Sequence, residues 1–256
     1  MQATPSFNNT TAANAPPRAA SARSRLVTDA PTRMFHWLFA LSFLGAYLTA
    51  DGERWRMLHV TLGYTMAGLL VFRVLYGIWG PRQAGLGLLL RKLGGAPAWL
   101  ASFRGVKSLS AINWRQGQNL LMALAVIALL AMVVPLTLTG YATFHEWGDV
   151  LGGDWLGELH EFFGEAILLV VLAHVGLIAA LSVWRRKNQA LPMLSGRVQG
   201  PGPDLVKHNR RWLAFLLLIA VLAYGAWEWK ESPNGLIPNS AFISGASRDH
   251  GDHDDD

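Results

Sequence analysis

The sequence predicts an all-α integral membrane protein, a four-helix core followed by a fifth C-terminal transmembrane helix. Three observations carry this expectation. The 256 residues are 52% hydrophobic and only 15% charged, with a mean hydropathy of +0.25, too apolar for an ordinary water-soluble domain. Five apolar segments, 34–50, 58–79, 119–140, 157–184 and 212–229, reach the ~17–25 residues that cross about 30 Å of hydrocarbon. The basic residues gather between alternate segments, so the formal charge of +5 and the pI near 9.8 follow membrane topology and do not point to nucleic acid.

Taken in order, residues 1–30 are rich in Ala, Ser, Thr, Asn and Pro and read as a disordered basic tail. The apolar run after it continues to Ala50 and is read as an uncleaved first span rather than a signal peptide. Residues 31–187 form the helical core domain. Its loop 80–118 contains Arg82, Arg91, Lys92, Arg104, Lys107 and Arg115. A basic loop, 188–211, then leads to the fifth span, 212–229, and an acidic tail, 230–256. The opposite loops hold only Arg54 and Arg56 after span one and no Lys or Arg from 141 to 156. The positive-inside rule therefore puts the N-terminus and both basic loops in the cytoplasm and the C-terminus in the periplasm. Trp37, Trp55, Trp79, Trp147, Trp155, Trp184, Trp212, Trp227 and Trp229 lie near span ends, as an interfacial aromatic belt requires. Within the inner loop, Leu86–Leu93 and Trp99–Phe103 interleave apolar and basic residues, a pattern for a helix on the membrane, against a partner, or simply on the surface. Pro135 is a lone kink candidate in span three.

Four histidines inside apolar spans ask for a ligand, because an imidazole is costly to bury in hydrocarbon unpartnered. His36 lies at the inner end of span one and His59 at the outer start of span two. His160 starts span four on the outer side, and His174 lies 14 residues deeper, about 21 Å at 1.5 Å per residue. Fourteen residues fall only about 40° short of four turns, so both face one way. The consistent pairing is His36 with His174 for an inner site and His59 with His160 for an outer one, which suits two flat porphyrins with an axial imidazole on each side. With no cysteine in the chain, such haem is b-type; thiolate clusters and covalent c-type attachment are excluded. Zinc fits less well, since each depth offers only two histidines.

His59 to Gly63 and His160 to Gly164 both read His-x-x-x-Gly, and a glycine four residues on lets a ring approach the helix backbone. Helix packing is the alternative use of such glycines. Arg73, 14 residues after His59, is placed to neutralise a haem propionate or else to snorkel to the headgroups. Glu165, eight residues into span four, is a candidate proton relay or quinone contact. His145, Glu146 and His208 read as loop residues, and the stretch Asp249–Asp256 as a solvated acidic end.

The stretch from Pro31 through His36 to Trp37, followed by Leu58-His59-Val-Thr-Leu-Gly63-Tyr64, Phe72-Arg73, Trp79-Gly80-Pro81-Arg82 and Gly157-Glu-Leu-His160-Glu161, resembles the bacterial cytochrome b561 family. That family includes the b-type cytochrome subunits of nickel–iron hydrogenases and formate dehydrogenases. Over about 30–185 the resemblance implies a four-helix dihaem core in a bacterial inner membrane, carrying electrons to or from quinone. An electron-transfer subunit working with a dehydrogenase or hydrogenase, or with a c-type cytochrome, is the primary expectation. A self-contained superoxide–quinone oxidoreductase is the alternative within the class, suggested by Arg54 and Arg56. A non-haem transporter or assembly protein is the alternative outside it, disfavoured by the lack of paired Gly/Pro-broken helices.

Overall fold

The computed structural model describes residues 24–104, 113–151 and 153–232. A short strand β1 (Ser24–Leu26) leads into α1 (Ala30–Leu48), a turn of 3-10 helix, and α2 (Arg56–Trp79). The inner loop folds as α3 (Leu86–Leu93) and α4 (Ala96–Ala101), before α5 (Trp114–Phe144), the brief α6 (Trp147–Leu151) and α7 (Trp155–Arg185). A single turn α8 (Leu191–Leu194), strand β2 (Arg197–Gln199) and α9 (Arg211–Glu231) complete it. All five expected apolar segments form helices, each starting one to five residues earlier than expected, and the first stops at Leu48, two residues short of its expected end.

Among the described residues four helices, α2, α5, α7 and α9, are long and apolar enough to cross a membrane. The expectation of five is therefore met in four. At 19 residues α1 is long enough for about 28 Å, but Arg33, His36 and Trp37 near its start lower its hydropathy. Outward-facing apolar residues such as Leu169 and Val183 are 69% and 80% exposed, which suits lipid rather than water as their solvent. α5 stays continuous through Pro135; the hydroxyls of Thr137 and Thr139 return hydrogen bonds to Val133 and Pro135 carbonyls at 2.8 and 2.7 Å.

Close packing runs α5 on α7, α1 on α2 and α9, and α2 on α5. Neither α1 nor α2 packs extensively along α7, so the bundle encloses a gap. Its middle is closed by Phe43, Met66, Val133, Leu136 and Ile167, one apolar layer from four helices. A second layer, Phe35, Leu69 and Leu217, joins α9 to α1 and α2.

The segment before α1 departs from the expected tail. Ser24–Leu26 pairs antiparallel with Arg197–Gln199, and the Leu26 N–H donates to Asp204 at 2.6 Å. Composition could not reveal this, because the partner lies in the other inner loop. Residues 1–23 and the acidic tail beyond Ser232 lie outside the described residues.

Asp29 ties the inner end together. It is 2% exposed, caps α1 by accepting from the Thr32 N–H at 3.2 Å, and accepts the Tyr76 hydroxyl of α2 on its other oxygen. Arg73 lies within its electrostatic reach, and Arg210, at the start of α9, stands beside the same hydroxyl. Asp29→Ala should lower stability by about 2–4 kcal/mol, through loss of the cap and of an acceptor for a buried hydroxyl. Tyr76→Phe should lower it by about 1 kcal/mol. Thermal unfolding in detergent checks the order; equal stability of Asp29→Ala and wild type would refute the network's role.

Candidate functional site

The four intramembrane histidines come from three helices: His36 from α1, His59 from α2, His160 and His174 from α7. Their spacing sets two levels. Seven residues separate His36 from Phe43, His59 from Met66, His160 from Ile167, and Ile167 from His174. Seven residues advance a helix about 10.5 Å and return it within about 20° of the same direction. The central apolar layer thus lies midway between the two histidine levels.

At the outer level the His59 and His160 rings face each other with centroids 6.0 Å apart and planes at 87°. The Nδ1 of His59 donates to the Ala46 carbonyl at 2.8 Å, and that of His160 to the Leu136 carbonyl at 2.9 Å. A carbonyl can only accept, so both Nδ1 atoms carry a proton, and in the neutral imidazole each Nε2 keeps a lone pair. The same device fixes the tautomer of metal-ligating histidines generally. Gly140 of α5 makes the His160 position possible, since a Cβ there would lie 2.7 Å from the ring's Cε1.

A cavity of about 540 Å³ opens at this level, lined by Phe43, both histidines, Gly63, Gly140 and Gly164. A Cβ added at Gly63 or Gly164 would meet nothing within 4 Å. Both glycines therefore leave open space on the cavity wall. Arg56, Asp51, Glu161 and Glu165 lie around the same cavity.

At the inner level the Nδ1 atoms of His36 and His174 are both buried without a hydrogen-bond partner among the described residues. An orphaned imidazole nitrogen in hydrocarbon is costly. Among the described residues no group of three or more His, Cys, Asp or Glu side chains converges as a metal site would need, so each level offers two imidazoles.

Arg73 is buried and donates to the Ala84 carbonyl at 2.9 Å, just beyond α2. It does not snorkel. Glu165 is exposed on α7 at the cavity rim, and His145 is exposed at the end of α5, its ring 4.3 Å from that of Tyr141. His208 lies in the loop before α9, outside the bundle. Sequence reasoning missed Gly140, whose only signal is a glycine in an otherwise bulky span, and the two backbone carbonyls, which leave no signal.

These features define a helical membrane protein with histidines at two depths along its bundle. The chain belongs to the prokaryotic cytochrome b561 family, whose pattern it matches over residues 27–196. It is thus a membrane b-type cytochrome of electron transfer, and α9 lies beyond the matched region. No match emerged among curated proteins or among solved structures.

The outer level fits a b-type haem. Ring centroids 6.0 Å apart leave the space that a metal ion between the two imidazoles would need, at about 2 Å from each nitrogen. Gly140→Ala should push His160 away from Leu136 and lower haem retained after purification several-fold, with helical content unchanged. Gly164→Leu, which fills the cavity without clashing, should do the same. Absorbance at the haem band relative to protein tests both; unaltered retention in the two variants would refute the fit.

Proposed function

We propose that this protein is a dihaem electron carrier, with His36 and His174 holding an inner b haem and His59 and His160 an outer one. The observation that carries the reading is the matched pair of histidine levels, about 21 Å apart along α7, with the outer rings fixed in the tautomer that leaves Nε2 free. Each haem iron, when bound, supplies one-electron chemistry by alternating between ferric and ferrous. The chain's part is to hold the rings, exclude water and neutralise charge. Gly63 and Gly164 would leave room for the outer porphyrin, and the Phe43–Met66–Ile167 layer keeps water from joining the two levels. Arg73, engaged with Ala84 and near Asp29, is better suited to shaping the inner end than to a free interaction with a propionate.

In this reading α1 spans the membrane as well, shielded by α2 and α9, and five spans put the N-terminus in the cytoplasm and the C-terminus in the periplasm. Quinone is the lipid-phase partner, and a dehydrogenase or hydrogenase subunit or a c-type cytochrome is the aqueous one. The self-contained superoxide reading draws on Arg56 at the outer cavity. Asp51, Glu161 and Glu165 around the same cavity oppose it by repelling an anion.

The pyridine haemochrome assay on the purified chain should give two low-spin b haems. His160→Ala or His59→Ala should leave one, and so should His36→Ala or His174→Ala. A colourless wild type after expression with ample haem would sink the proposal. Topology has its own test, since the chain contains no cysteine. In intact spheroplasts Asp149→Cys should react with an impermeant maleimide, while Lys187→Cys should react only after permeabilisation; the reverse pattern inverts the orientation.

A further inference from the structure

A second cavity, of about 450 Å³, lies where α2 ends and α3 begins, remote from the outer histidines. Its walls are Gly77, Gly80, Gly85 and Gly87 with Ile78, Pro81 and Leu88, and its charged residues are Arg82 and Arg91. No carboxylate lines it. The geometry points to a binding site for the phosphate of an anionic phospholipid, held between these two guanidiniums.

Four lines of observation meet here. First, Arg82 and Arg91 are exposed and make no hydrogen bond or ion pair to any described residue, the single ion pair being Arg56 with Glu53. Other arginines of the same end are engaged: Arg33 with Leu194, Arg73 with Ala84, Arg185 with Gln118 and Arg197 with Ser24. Two unpaired guanidiniums sharing one cleft suit a doubly hydrogen-bonded phosphate.

Second, the cleft is held open by packing. A Cβ at Gly77 would lie 2.6 Å from Leu86, so α3 docks directly on the end of α2, whereas Gly87 faces open space. Third, the first turn of α3 has no side-chain cap, and its amides and positive dipole end border the cleft. Fourth, the site lies at membrane depth. Ile78 and Trp79, 62% and 75% exposed, mark the end of the α2 span, and Leu90 of amphipathic α3 is 59% exposed. A lipid places its phosphate at this boundary and its chains along Ile78 and Leu88. A soluble phosphate gains nothing from those apolar walls. The amphipathic segment read from the sequence thereby acquires a task, that of one wall of a headgroup cleft.

The test uses the full-length chain in neutral detergent, with native mass spectrometry and thermal unfolding as readouts. Phosphatidylglycerol should be retained at one molecule per chain and raise the melting temperature, with phosphatidylcholine giving neither effect. The Arg82→Gln/Arg91→Gln double variant should bind phosphatidylglycerol at least ten-fold more weakly, with unchanged circular dichroism and haem content. Gly87→Asp, which sets a carboxylate in the open cleft, should act alike without touching an arginine. Wild-type retention in both variants, or equal retention of phosphatidylcholine, would overturn the site. Displacement by millimolar inorganic phosphate would overturn the lipid assignment.

Discussion

An imidazole in hydrocarbon has two ring nitrogens, and both need a partner. The remainder of the bundle is arranged around that requirement. At the outer level the demand of Nδ1 is met by carbonyls of neighbouring helices. These are the groups a helix can offer, because a backbone oxygen already in a helical bond keeps a second lone pair. Reaching Ala46 and Leu136 requires α1 to approach α2 closely and α5 to approach α7 closely, and those are the tight packings observed. The price is the gap between α7 and the other two histidine-bearing helices, which is where the cavity lies.

The seven-residue interval joins that local constraint to the architecture. It repeats histidine, apolar residue, histidine along α7, while α1 and α2 each contribute one histidine and one member of the apolar layer. A single helical period therefore sets the depth of both histidine levels and of the apolar layer between them. Because the interval returns each helix to nearly the same direction, no kink is needed, and α5 carries Pro135 without a break.

Much of this was legible in the sequence. The helical segments and the meeting of His59 with His160 follow from hydropathy and from 3.6 residues per turn, both local properties. The His-x-x-x-Gly repeat places His59, Gly63, His160 and Gly164 on the wall of one cavity, since a glycine at position i+4 shares the face of its histidine. What could not be read depends on partners distant in sequence. Asp29 looks like an ordinary helix cap until Tyr76 of α2 reaches its second oxygen. Arg73 suggested a propionate partner by its spacing, but the return of α3 over Gly77 brings the Ala84 carbonyl to it first. The strand Ser24–Leu26 has no alternation strong enough to announce itself, and its mate is a three-residue segment of a loop. The tautomer-setting carbonyls are backbone atoms, identical at every position of the chain.

The ribbon of β1 and β2 bears on biogenesis. Leu26 bonds to Asp204, and Ala30 to Asn209, across separations of 178 and 179 residues. At ~5–20 residues per second, roughly 10–40 s of synthesis pass between the emergence of these partners. The first histidine-bearing helix is consequently made with its N-terminal anchor unpaired, and it stays so until the loop before α9 is made. A ribosome-bound chain can form the α5–α7 hairpin early, yet α1 gains its neighbour α9 only after residues 211–231 have been made. Quality control in the cell therefore has an interval in which an incomplete chain exposes an unlatched first helix, and a C-terminal truncation would make that interval permanent.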